Sequence, residues 1–128
     1  MDITVRSSKR NEMIDITSQV NEVVRASGKT RGLCFVFVPH TTAAVTINEN
    51  ADPDVQKDIL TTLSRVFPKD PAHAHGEGNS DAHIKSSLVG ASETVAIDQG
   101  RLVLGTWQSV FFCEFDGPRT RKVLVRII

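Results

Sequence analysis

Tyrosine is absent from this 128-residue chain, so no phenol serves as an acid, a base or a nucleophile. Cysteine is scarce, and the two present, Cys34 and Cys113, lie inside strongly apolar runs. A thiol in such a run is expected as a reduced core group, not as half of a bridge. Neither charge is in excess, because Lys and Arg number 15 and Asp and Glu also number 15. That balance leaves no electrostatic footprint for duplex nucleic acid or an anionic membrane. No apolar run approaches the roughly 20 residues that span a bilayer, and the start of the chain lacks the basic-then-apolar pattern of a secretion signal. A cytoplasmic protein with no nucleic-acid or membrane partner is therefore expected. No linker, repeat or low-complexity tract interrupts the sequence, which predicts a single domain over residues 1–128, and 40% hydrophobic residues suffice for a core without disulfides.

What is present reads as strands and helices in mixed order. Ile3-Thr4-Val5-Arg6 alternates like a half-buried strand, and Met13 to Ile16 is a second candidate. Thr17 is placed to cap a helix that shows Val20, Val23 and Val24 on one face and stops at Gly28. Leu33 to Val38 is short, β-branched and aromatic, which predicts a central strand ended by Pro39, and Val45 to Ile47 predicts another. Asp52 and Pro53 open a helix carrying Val55, Ile59, Leu60, Leu63 and Val66 at helical spacing up to Pro68. An irregular loop runs from Pro68 to Asn79, followed by a short helix from Asp81 to Leu88 that ends at Gly90. The rest reads as strand: Thr94 to Ile97, Arg101 to Leu104, Trp107 to Phe115 and Lys122 to Ile128. Short connections favour antiparallel pairing. The expected class is α+β, a mostly antiparallel sheet with helices packed on it.

The chemistry-bearing residues are concentrated. Of the 4 histidines, His73, His75 and His83 fall in one loop with Glu77, Asn79 and Asp81, and the remaining one, His40, follows the apolar strand. Catalytic zinc takes three protein ligands and leaves a position open, and neutral imidazole is the commonest ligand. Gly76 and Gly78 give the loop freedom to fold His75 toward His83, and His40 supplies a third direction. These three are the candidate metal ligands; the competing reading of such histidines is plain solvation. Glu77 is the candidate general base, a carboxylate able to take a proton from a metal-activated water. Glu49, after the Val45 to Ile47 strand, is a second candidate acid on a cleft near His40. Asn79 and Asp81 read first as caps of the following helix, and Lys85 as a cation near its start that could hold an anion.

Around Gly117-Pro118 the pattern suggests a terminal hairpin. It would set Asp116 against Arg119 and Glu114 against Arg121, on the face that carries Gln108. Two readings stand level there: ion pairs worth under ~1 kcal/mol each if exposed, or a phosphate-binding pair of guanidinium forks.

Taken together, Val38-Pro39-His40-Thr41-Thr42-Ala43-Ala44, Asn48-Glu49-Asn50-Ala51-Asp52, His75 to Lys85, Gly105-Thr106-Trp107-Gln108 and Glu114 to Arg121 resemble the YjbQ-like family. These five ordered motifs cover nearly the whole chain. Some members of this family of uncharacterised proteins carry the label secondary thiamine-phosphate synthase. The resemblance implies a YjbQ-like α+β fold, a homotrimer, and a metal-associated cleft using His40, His75 and His83; His73 lies outside the matched pattern. Thiamine-phosphate synthesis joins a pyrimidine pyrophosphate to a thiazole phosphate, so it needs anion binding and stabilisation of the leaving pyrophosphate. Imidazoles suit zinc better than magnesium, although magnesium is a possible ion for phosphate chemistry. No glycine-rich phosphate loop is present, and the chain is too short for a (β/α)8 barrel.

The expectation is therefore a metal-dependent enzyme acting on a small phosphorylated metabolite, with synthase activity as a possible side reaction. Glu77 and Glu49 are its candidate catalytic residues. Arg119, Arg121, Lys85, Asn79 and Gln108 are its candidate substrate contacts. The alternative is a non-enzymatic trimer that binds a metal or a metabolite.

Overall fold

Alternation along the first strand, β1 (Asp2–Arg6), buries Ile3 and Val5 and leaves the residues between them exposed. The computed structural model describes residues 1–128. Its further elements in chain order are β2 (Glu12–Asp15), α1 (Thr17–Ser27), β3 (Arg31–Phe37), β4 (Ala43–Glu49), α2 (Pro53–Val66), α3 (Ser80–Val89), β5 (Ser92–Asp98), β6 (Arg101–Leu102), β7 (Gln108–Glu114) and β8 (Thr120–Ile127). The strands form two antiparallel sheets. One has the order β1-β8-β3-β5-β6 and the other β2-β7-β4.

The core lies between the sheets. Val36, Val125 and Ile97 from the larger sheet meet Val45, Val110 and Phe112 from the smaller one, with Val20 and Val24 of α1 closing one side. A second apolar layer covers the outer face of the smaller sheet. There Ala44, Phe111, Cys113 and Phe115 pack with Ala82 of α3 and the half-buried Leu60 and Leu63 of α2. β7 is therefore buried on both faces, which explains why its sequence is a continuous apolar run and not an alternating one. Burial holds the Cys34 thiol up at about 11 and the Cys113 thiol up at about 12, so neither is a nucleophile near neutrality.

Helix ends follow the local chemistry. Asp52 caps α2 by accepting from the Asp54 amide, with Pro53 at the first helical position. Gly28 closes α1 in the left-handed conformation, φ 73°. Thr17 does not cap α1 as its sequence position suggests. Its amide and hydroxyl both donate to Asp15, and its oxygen accepts from the Val110 amide, tying the helix start to β7.

The main departure from the sequence pattern concerns the end of the chain. β7 and β8 are not a hairpin; they belong to different sheets, and β8 pairs with β1 and β3. The connection from Phe115 to Arg119 crosses between the sheets against the β1–β2 loop. Gly117 donates its amide to the Arg10 carbonyl, and a Cβ at 117 would collide with the Lys9 carbonyl oxygen and the Ser7 hydroxyl. β6 is also shorter than its pattern, stopping at Leu102. No helix is long and apolar enough to cross a membrane.

Candidate functional site

A polar cleft of 410 Å³ opens where the β3–β4 turn, the loop before α3 and the β7–β8 crossover meet. Pro39 ends β3 and turns the chain so that His40, Thr41 and Thr42 line one wall. The loop from Pro68 contributes His75 and Glu77, and α3 presents Asn79 and His83 from its first turns. The crossover adds Asp116, Arg119 and Arg121. Apart from the ring of Pro39, every side chain lining this space is polar or charged. A larger cavity of 540 Å³ near the C-terminal end of α1 contains Arg25, Lys29 and Arg101 but no histidine or acid, so it offers no acid/base pair.

Three of the four histidines are thus brought together, as their spacing suggests, and His73 stays outside. The His75 and His83 rings stand edge to face with centroids 5.3 Å apart. His40 is differently engaged. Its Nε2 accepts a 3.0 Å hydrogen bond from the Lys122 amide of β8, which leaves the proton of the neutral ring on Nδ1. Burial, and then the positive charge of Arg121, lower its pKa below the ordinary histidine value. No three His, Cys, Asp or Glu side chains are gathered closely enough to hold a metal ion as they stand.

The charged residues sort into bound and available. Arg121 is 5% exposed and donates to Glu114 through Nε at 2.9 Å and through Nη2; Nη2 also donates to the Thr42 hydroxyl at 2.9 Å. Glu114 is fully buried. Burial alone would raise its pKa, but hydrogen bonds from Arg121, Ser7 and the Asp116 amide outweigh that and hold it below the usual carboxylate range. Of the two readings of this segment, the Glu114–Arg121 ion pair is the one seen, buried and not exposed, and Arg121 is a structural cation at the cleft wall and not a free anion ligand. Arg119 remains half exposed. It donates through Nε to the Asp116 carbonyl and through Nη2 to the Asp116 carboxylate, leaving Nη1 uncommitted.

Asn79 sits at the α3 N-cap position but makes no side-chain cap. Instead its Nδ2 donates to Asp116 at 2.8 Å, while its Oδ1 is buried without a partner. Burial opposes ionisation of Asp116, yet Asn79 and Arg119 keep its pKa low. Asp81 is not a cap either. It accepts both guanidinium bonds of Arg10, at 2.7 and 3.0 Å, and faces Lys85 at 3.5 Å.

Three sequence-based candidates lie elsewhere. Lys85 is 1% exposed and donates to Asn11 and Ser64 behind α3, where burial lowers its pKa, so it cannot reach an anion in the cleft. Glu49 and Gln108 face each other at one end of the β4–β7 ladder, whereas Ala43 and Glu114 mark the cleft end. At about 3.4 Å per residue that is roughly 20 Å away. Gln108 instead accepts the Gly105 amide through its side-chain oxygen. Conversely, Thr42 and Arg10 shape the cleft or its supports without having been singled out. Only the place of Thr42 two residues after His40 hinted at either, whereas Asp116 is expected opposite Arg119 and is found paired with it.

Comparison with known proteins agrees over the full length. The chain matches the profile of the family described as UPF0047 protein YjbQ-like over residues 1–128. It is 50% identical to the UPF0047 protein YugU of Bacillus subtilis, covering 98% of this chain and 96% of that protein. A UPF0047 protein of Methanocaldococcus jannaschii is 52% identical over 97% of this chain and 90% of its own length. A crystal structure of an uncharacterised YjbQ/UPF0047 protein from Clostridium acetobutylicum superposes with TM-score 0.98 at 54% identity, covering 100% of this chain and 99% of the other. A protein of unknown function from Sulfolobus solfataricus gives TM-score 0.94 at 37% identity, covering 99% and 94%.

Proposed function

This chain belongs to the YjbQ-like UPF0047 family, and on that premise we propose that its polar cleft is the active site of a metal-dependent enzyme acting on a small phosphorylated metabolite. The observation that carries the reading is the meeting of three imidazoles, one free carboxylate and one half-free guanidinium in a single open cleft.

The donor set fits zinc better than magnesium, because imidazole nitrogen is a zinc ligand and magnesium prefers oxygen. Two imidazoles on one tetrahedral zinc, with Zn–N near 2.0–2.1 Å, have ring centres about 5 Å apart. The 5.3 Å between His75 and His83 suits that arrangement. His40 is the third ligand of the proposal and joins by giving up the Lys122 amide. When bound, the ion would supply Lewis acidity to a phosphoryl oxygen.

The chain's own groups divide the remaining work. Arg119 offers its free Nη1 to a phosphate, with Asp116 fixing the guanidinium from behind. Glu77 is exposed in the same cleft and unpaired, placed to accept a proton from an attacking water or hydroxyl. Thr42, held by Arg121, keeps the wall in place.

The supply of charge bears on the finer proposal of thiamine-phosphate synthase-like activity. That reaction handles a pyrophosphate and a phosphate together, whereas Lys85 and Arg121 are committed and Arg119 alone is available. Hydrolysis or transfer of a single phosphate is therefore the primary activity proposed, with synthase activity secondary. A homotrimer in the cytoplasm completes the reading; two buried, free cysteines suit a reducing compartment.

Elemental analysis of protein made without a histidine tag tests it. About one divalent ion per chain is expected, lost in His75→Ala and His83→Ala. Glu77→Gln should keep the ion and lose turnover of phosphate esters. Protein that neither carries nor takes up zinc sinks the metal claim. Metal and phosphate binding without turnover of any ester would leave a non-enzymatic binding protein.

A further inference from the structure

The space at His40 and His83 does not stop at the charged cleft. A second hollow of 460 Å³ shares His40, Thr41 and His83 with it, so these three form a waist between two lobes. The lobes differ in chemistry. Glu77, Asp116, Arg119 and Arg121 give the first lobe both signs of charge. Beyond the waist, the second is bounded by Ala43, Ser86, Ser87, Gly90 and Ala91, none of them charged.

Small side chains leave the second lobe open, and its one unexplained group is Ser86. That residue is 8% exposed, and its buried hydroxyl has no hydrogen-bond partner. The neighbouring Ser87 hydroxyl, by contrast, is used up on the His83 carbonyl at 2.9 Å. A buried hydroxyl without a partner is unfavourable, and this one belongs to a residue that lines the second lobe. The first lobe has a counterpart in the unpartnered Oδ1 of Asn79. Each lobe thus keeps one polar atom in reserve.

We infer that the substrate is a two-part molecule, with its phosphate-bearing end in the charged lobe and an uncharged, hydrogen-bonding end in the second lobe. The bond joining the two parts lies at the waist beside His40 and His83. Ser86 is then a specificity-determining residue that reads a hydroxyl, amide or ring nitrogen on the neutral part. This rests on the reading of the charged lobe as a phosphate site.

Calorimetry with three probes on the full chain separates the two claims: inorganic phosphate, methyl phosphate and 4-(hydroxymethyl)phenyl phosphate. The aryl ester should bind at least roughly tenfold tighter than methyl phosphate, the scale on which an added apolar group discriminates in a fitted pocket. Ala91→Phe, which fills the second lobe from an exposed position, should bring that ratio toward one. Ser86→Ala should lower aryl-ester affinity several-fold and leave methyl phosphate unchanged. If Ala91→Phe fails to fold, Ser87→Phe narrows the same lobe. Equal affinity for the two esters, or a preference that survives the filled lobe, overturns the two-part substrate while phosphate binding stands. Absence of inorganic phosphate binding overturns the charged-lobe reading and this inference with it.

Discussion

Arg121 on β8 and Glu114 on β7 form a buried ion pair between strands of different sheets, with Nε to Oε1 at 2.9 Å. Removing one partner of such a pair strands the other charge, at a cost of about 3–5 kcal/mol. Arg121→Ala should therefore lower the unfolding free energy by that amount in denaturant titrations. Arg121→Lys should recover only part of it, because an ammonium cannot serve Glu114 and Thr42 through one planar fork. A folded Arg121→Ala variant of unchanged stability with weakened phosphate binding would restore the role of anion ligand.

Arg119 should behave in the opposite way. Its pair with Asp116 is half exposed and worth at most about 1 kcal/mol. Arg119→Ala should leave the melting transition nearly unchanged and weaken inorganic phosphate binding by about 1.5–3 kcal/mol, the range for a hydrogen bond to a charged group. Calorimetry beside a thermal melt reads both.

Acid should unfold the protein through three carboxylates. Glu114, Asp81 and Asp116 all have folded pKa values below their ordinary ones, because Arg121, Arg10, Asn79 and Arg119 outweigh the burial that opposes ionisation. A depressed folded pKa contributes stability that is full above the unfolded value, near ~4, and is lost as pH falls through the folded value. His40 has the same sign at higher pH: stability should begin to decline below ~6.5, where the unfolded imidazole takes a proton that the folded one resists. Urea titrations from pH 8 to pH 3 should show a shallow slope first and a steep one later. Replacing His40 with Gln should remove the shallow part alone.

Assembly as the homotrimer that the resemblance implies gives a further expectation. Phe111, Phe112, Val123 and Val125 are buried inside the chain and leave nothing to cover. Trp107, 62% exposed, and Leu88, also 62% exposed, remain on the surface. Sedimentation should give about three times 14.0 kDa. Trp107→Glu should shift the mass toward one chain if that side chain lies in the contact.

Periodicity made most elements legible, since burial of one face leaves a mark in spacing. Val20, Val23 and Val24 on α1 and the capped start of α2 are cases where local chemistry and tertiary packing agree. The β7–β8 connection was not legible, because sheet membership is decided by distant contacts such as Gly117 against the β1–β2 loop. α3 hid its buried face for another reason. Asp81, Lys85 and Ser86 are polar residues satisfied or shielded only in three dimensions, so hydrophobic spacing could not reveal which side faces inward. The cleft was visible through its histidines and Glu77, whose chemistry is conspicuous in sequence. Lys85 was misplaced because its partners Asn11 and Ser64 come from distant segments, whereas the pairs Glu114–Arg121 and Asp116–Arg119 were legible around Gly117-Pro118 although that connection is not a hairpin.

The hydrogen bond from the Lys122 amide to His40 makes an imidazole stand in for a missing strand. β3 meets β8 only as far as Phe37 opposite Leu124, and beyond that point the ring of His40 occupies the acceptor place that a backbone carbonyl would otherwise take. Deuterium uptake at the Lys122 amide is thus a reporter wired to the cleft. Protonation of His40, or capture of its Nε2 by an ion, frees that amide for exchange, and either event becomes observable before any substrate is known.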